Sequence, residues 1–147
     1  MIEYSRVELG KAAKERGFVR DTFEKVLRLK EILRYFNEDK YLKEHLVLKG
    51  GTAINMTIFN LPRLSVDIDM DFTPNYSKAD TEVNRKEITE RLQRYMQEEG
   101  YHLSESSRYS HSLDSFLFQY QNAGGNRDNI KVEINYSLRS HIFAPVE

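Results

Sequence analysis

Apolar residues first recur at helical spacing from Phe23. Phe23, Val26, Leu27, Leu33 and Phe36 mark one stripe of a helix that Asp21 is placed to cap, with Glu24 three residues on as its capping-box partner. Residues 1–17, upstream, are charged and carry a weaker helical pattern. Leu46 to Lys49 is a short apolar run ending at Gly50-Gly51, which predicts a buried strand entering a tight turn. Thr52 to Phe59 reads as a short helix leaving that turn, and Leu61-Pro62 ends it because the residue before proline avoids helical geometry. From Val66 to Phe72 the period changes to two: Asp67, Asp69 and Asp71 share one face, and Val66, Ile68, Met70 and Phe72 the other. A longer helix is expected at 77–99, with Ile88, Leu92, Tyr95 and Met96 on its stripe. Segments 101–106 and 114–121 are expected to pair as antiparallel strands. A turn rich in Gly, Asn and Asp spans 123–129. Alternation then returns, with Ile130, Val132, Ile134 and Tyr136 on one face and Lys131, Glu133, Asn135 and Ser137 on the other.

This order predicts an α+β domain: a mixed β-sheet with helices packed on it, preceded by N-terminal helices. A length of 147 residues suits one domain over 1–147, since domains of about 100–150 residues are the commonest size. With 39% apolar and 31% charged residues the composition is that of a globular protein. The net charge of −1 means that any face binding nucleic acid must be local. The chain has no cysteine, so disulfides and thiolate metal sites are excluded. The first residues begin no apolar run, and no stretch approaches the ~18 apolar residues of a membrane span, so a cytoplasmic location is expected.

Candidate chemistry concentrates in three places. Asp67 and Asp69 stand on one strand face, roughly 6–7 Å apart along the chain. Carboxylates so crowded repel each other unless a cation lies between them, and hard oxygen ligands suit Mg²⁺ or Mn²⁺. The plain alternative is a solvated, acid-bearing strand face. Against it, three acids within five strand residues are unusual, because Asp is depleted in strands. The second place is Lys49-Gly50-Gly51-Thr52, at a strand-to-helix turn. Glycines allow a phosphate close to the backbone, and a helix N-terminus offers it free N–H groups; the alternative is an ordinary turn. It is not a P-loop, because the spacing differs. The third is Glu133, beside Lys131: if its strand neighbours the Asp67 strand, it completes a three-carboxylate cluster. His102, His111 and His141 do not have metal-ligand spacing. His45 is read as structural or exposed, and Phe116 to Tyr120 as half-buried strand.

Taken together, a glycine-glycine-threonine turn, a later Asp-x-Asp and a downstream strand acid are the layout of the polymerase-beta type of nucleotidyltransferase. The longer strings Leu46-Val-Leu-Lys-Gly-Gly-Thr-Ala-Ile-Asn55 and Arg63-Leu-Ser-Val-Asp-Ile-Asp69 resemble the AbiEii/AbiGii family of toxins, with Leu64 where that family usually has Phe. The resemblance runs over roughly residues 15 to 140. It implies triphosphate contacts at Gly51 and Thr52, metal ligands at Asp67 and Asp69, and a further motif at Lys131 and Glu133. Gly50, Lys49 and Arg63 join the candidate nucleotide-binding residues. Asp71 is a further candidate by geometry alone.

The activity implied is transfer of an NMP from an NTP to a hydroxyl of RNA or protein, with pyrophosphate released and a cognate antitoxin as restraint. Phosphoryl transfer needs charge neutralisation and in-line positioning. Glu133 is then either a ligand of a second ion or the base toward the acceptor. The resemblance also implies a longer chain with a helical C-terminal half, so the acceptor site and some catalytic groups are expected in that half. Two rival readings remain open on the sequence. One is metal-dependent phosphodiester hydrolysis, which would not need the glycine turn. The other is a catalytically incomplete binding module, which intact Asp67 and Asp69 argue against.

Overall fold

The computed structural model describes residues 5–15, 20–49 and 68–136. The elements, in order, are α1 (Arg6–Glu15), α2 (Arg20–Glu38), α3 (Lys40–His45), β1 (Leu46–Leu48), β2 (Ile68–Phe72), α4 (Lys78–Glu98), β3 (His102–Leu103), β4 (Arg108–Tyr109), β5 (Leu113–Gln121) and β6 (Arg127–Asn135). The strands form one mixed sheet in the order β1-β2-β6-β5-β3, with β4 also pairing β5. β2 and β6 run parallel, while β1–β2 and β5–β6 are antiparallel. The architecture is the expected α+β. None of the helices among the described residues is long and apolar enough to cross a membrane.

Alternation decides which sheet face is buried. Ile68, Met70, Phe72, Phe116, Phe118, Val132 and Ile134 pack against Leu29, Ile32 and Phe36 of α2 and Ile88, Leu92 and Met96 of α4 in one core. Each such side chain contributes roughly 1.5–3 kcal/mol on burial. Leu9 and Ala13 of α1 close a smaller cluster on Phe23. Polar anchors fix the helices over the sheet. Asp39 caps α3 by accepting the N–H of Leu42 at 3.0 Å, and Arg91 of α4 donates to the same carboxylate at 3.1 and 3.2 Å. Tyr35 and Tyr95 stack at 3.8 Å, joining α2 to α4.

Several local expectations need correction. Asp21 and Glu24 do not make a capping box: Asp21 lies within α2, and Glu24 is fully buried, bonded to Arg28 and to the N–H of Ala123. The α2 stripe turns toward Leu29 and Ile32, leaving Leu27 and Leu33 at its margins. α3 has no apolar period of its own and was not anticipated. The strand expected at 101–106 stops at Leu103, because Ser104 closes a turn: its hydroxyl accepts the N–H of Ser106 and its carbonyl that of Ser107. The chain re-enters the sheet as β4. The turn expected at 123–129 shrinks, since β5–β6 pairing runs out to Gln121 opposite Arg127. Gly125 there has φ +89°, a conformation glycine adopts without strain. The Gly50-Gly51 turn, the helix from Thr52 to Phe59 and its stop at Leu61-Pro62 lie outside the described residues.

Candidate functional site

The parallel pairing of β2 with β6 brings the acids together. Asp69 stands directly opposite Glu133, with Ile68 opposite Val132 and Met70 opposite Ile134 on either side. Strands lie about 4.8 Å apart, and laterally paired residues project to the same face. The apolar members of this register enter the core, so Asp69 and Glu133 share the opposite face, where both are half-buried. The condition set for Glu133 in the sequence, that its strand neighbour the Asp-x-Asp strand, is met.

Cations flank the pair. The N–H of Lys49 donates to the carbonyl of Asp69 at 2.9 Å, extending the β1 ladder one residue and setting Lys49 beside Asp69, with its side chain exposed. Lys131, two residues before Glu133 on the same face, approaches the Glu133 carboxylate at 3.6 Å. That separation is longer than a hydrogen bond, so the contact is a loose ion pair that a phosphate or cation can displace. Asp71 sits two residues along β2 from Asp69, opposite Asn135, and is 7% exposed; its Oδ1 has no hydrogen-bond partner among the described residues.

The donor set suits a hard divalent cation: carboxylates from two adjacent strands, half-buried, one of them only loosely held by a lysine. Among the described residues no three acid or histidine side chains form a group able to hold a metal, so Asp71 does not complete a cluster with Asp69 and Glu133. The third carboxylate of the expected set, Asp67, lies outside the described residues, as do Gly50, Gly51, Thr52 and Arg63.

Other groups settle into structural roles. Tyr120 is buried, with Arg28 4.1 Å from its ring centre. His45 is buried as well, stacked on Tyr41 with its Nδ1 2.7 Å from the Tyr41 carbonyl. Two residues on the Asp69–Glu133 face went unremarked in the sequence. Ser115 of β5 pairs with Glu133, and Arg108 of β4 pairs with Ser115. Alternation along 113–121 carried the signal for Ser115, but nothing local announced β4.

A family model described as the nucleotidyl transferase AbiEii toxin of type IV toxin–antitoxin systems matches residues 31–147, more than half of the 147-residue chain. No curated protein and no solved structure matches the chain. The matched span takes in β1, β2 and β6, and with them the Asp69–Glu133 pair; the chain belongs to the AbiEii family of nucleotidyltransferase toxins.

Proposed function

We propose that the chain carries a metal-dependent nucleotidyltransferase site that moves an NMP from an NTP to a hydroxyl on a macromolecule. The observation that carries this reading is the register of Asp69 with Glu133 across the parallel β2–β6 pair. Asp67, Asp69 and Glu133 would hold Mg²⁺ or Mn²⁺. The ion supplies charge neutralisation on the triphosphate and lowers the pKa of a bound hydroxyl.

The protein's own groups do the rest. Gly50, Gly51 and Thr52 cradle the triphosphate at the end of β1, and Lys49, Arg63 and Lys131 offset its charge. The acceptor oxygen bonds to the α-phosphorus as the bond to the pyrophosphate oxygen breaks, and pyrophosphate leaves. Glu133, on the far side of Asp69 from Lys49, takes the proton of the attacking hydroxyl. Membership of a toxin–antitoxin family supports a cognate antitoxin as a protein partner.

The test is thermal unfolding with each NTP, with and without Mg²⁺, on wild type and on Asp69→Ala. A ligand at about 100 times its dissociation constant adds roughly 2.7 kcal/mol, several degrees for a domain of this size. The midpoint is expected to rise only with NTP and Mg²⁺ together, and the rise should vanish in Asp69→Ala while the unliganded midpoint stays close to wild type. A rise that survives Asp69→Ala would refute the site. Pyrophosphate release in the presence of acceptor then separates transfer from binding alone.

A further inference from the structure

Three carboxylates are buried among the described residues, and the fold answers two of them. Glu24, fully buried, accepts from Arg28 and from the N–H of Ala123. Asp114, 4% exposed, meets the Arg85 guanidinium with both oxygens. The third, Asp71, is 7% exposed, and its Oδ1 has no hydrogen-bond partner among the described residues. No described lysine or arginine forms an ion pair with it; Lys131, on the same face, is engaged with Glu133. A buried carboxylate without a counter-charge is costly, and packing alone does not account for one in a native chain.

Its place on the sheet supplies the account. β2 sends Asp69 and Asp71 to one face, which Glu133 shares. Two residues along a strand span roughly 6–7 Å, so Asp71 stands one row behind the Asp69–Glu133 pair, between Val47 of β1 and Asn135 of β6. Asp71, Asp69 and Glu133 do not form a group able to hold one ion among them. Asp71 is therefore outside the ligand set and reaches it only through its field. A divalent cation held by Asp69 and Glu133 is attracted by that charge through protein rather than water, where the attraction is several-fold stronger. In the empty chain the same charge is repelled by the two carboxylates in front of it.

We propose that Asp71 is a positioning residue for the cation: without ligating it, the uncompensated Asp71 charge draws the ion to Asp69 and Glu133, at a cost in stability to the empty chain. The inference rests on the metal-dependent reading of the Asp69–Glu133 site.

The experiment compares the full wild-type chain with Asp71→Asn, which keeps the side-chain shape, with Asp69→Ala, and with Glu8→Gln, which removes the same charge on α1. Mn²⁺ alone is titrated into each, and the free ion is read by electron paramagnetic resonance. Thermal midpoints without ligand and the NTP–Mg²⁺ shift are measured on the same samples. Asp71→Asn is expected to bind Mn²⁺ about tenfold more weakly. Its unliganded midpoint should rise by a few degrees, because an unpaired buried charge has gone. Asp69→Ala should lose Mn²⁺ binding, and Glu8→Gln should change neither quantity. A midpoint that fails to rise in Asp71→Asn overturns the proposal, since an Asp71 answered within the protein has no charge to lend. Unchanged Mn²⁺ affinity in Asp71→Asn also overturns it, and a loss as complete as in Asp69→Ala overturns it in favour of Asp71 as a ligand. A wild type that shows the NTP–Mg²⁺ shift but takes no Mn²⁺ on its own overturns this inference and leaves the transferase reading standing. A wild type with neither loses both.

Discussion

Glu24 shows how far a residue's role can lie from its local pattern. Its spacing from Asp21 fits a capping box, but its side chain is wholly buried and serves the far end of the sheet. One oxygen accepts the N–H of Ala123 at 2.7 Å, in the β5–β6 turn; the other takes Arg28 at 2.9 Å. Arg28 in turn donates to the Tyr101 hydroxyl and lies over the Tyr120 ring. Burial works against the Arg28 charge, but the hydrogen bond to Tyr101 and the Glu24 carboxylate outweigh it and hold its pKa above the usual value. Glu24→Ala would take the buried carboxylate from the Arg28 guanidinium and the side-chain acceptor from the Ala123 N–H. A loss of about 3–5 kcal/mol is expected in denaturant unfolding, with an unchanged m-value. Glu24→Gln, which keeps an acceptor for Ala123, should lose less. Equal losses in the two would assign the stability to the Glu24 charge rather than to the bond from Ala123.

At the scale of elements, α4 is locked to the sheet by one side chain. Asp114 lies on the apolar face of β5 and is 4% exposed, a position that would be costly for a carboxylate alone. Arg85 of α4 meets both its oxygens, at 2.5 and 3.1 Å, donates to the carbonyls of Ser110 and His111 at 2.7 Å each, and stacks over Tyr136. The bond to Asp114 raises the Arg85 pKa, so the guanidinium stays charged. Its bonds to the Ser110 and His111 carbonyls also tie down the loop between β4 and β5. Arg85→Ala is expected to cost about 3–5 kcal/mol by leaving Asp114 buried and unpaired. Arg85→Lys, which keeps the charge without the planar fork, should recover only part of it. If Arg85→Lys matched wild type in the unfolding midpoint, bidentate geometry would have no part in holding α4.

For the molecule as a whole, tyrosines join the helices to the sheet, and they set an alkaline limit on stability. Burial, then the charge of Asp39, pushes the Tyr35 hydroxyl up to about 12 from an ordinary 10.0. Burial also pushes up Tyr95, Tyr101, Tyr120 and Tyr136. A phenol is neutral when protonated, and here the folded pKa exceeds the unfolded one. The stability these groups contribute is therefore fully present below about pH 10 and is lost as pH rises through about 12. Thermal midpoints should hold up to about pH 10 and then fall, with phenolate absorbance of the buried set appearing together with unfolding. Smooth ionisation of all tyrosines near pH 10 in a chain that stays folded would contradict this.

Periodicity along the chain was enough to place the core and the candidate acids. Ile68, Met70 and Phe72 alternate with Asp69 and Asp71, and Val132 and Ile134 alternate with Glu133, because a strand sends successive side chains to opposite faces whatever its neighbours are. Ile88, Leu92 and Met96 of α4 declared themselves in the same way. The α+β class followed from the order of these periods, and the family resemblance from the Leu46–Asn55 and Arg63–Asp69 strings. What periodicity could not supply was pairing. That β2 lies parallel to β6, with Asp69 opposite Glu133, is decided by the α4 and β3–β5 segments between them, a long-range matter on which local spacing is silent. The same holds for Glu24 reaching Ala123 and Arg85 reaching Asp114. In each of these cases a polar residue takes its role from a partner distant in sequence, because a charge drawn into a half-buried or buried place is tolerated only where the fold brings a counter-charge or a ligand to it.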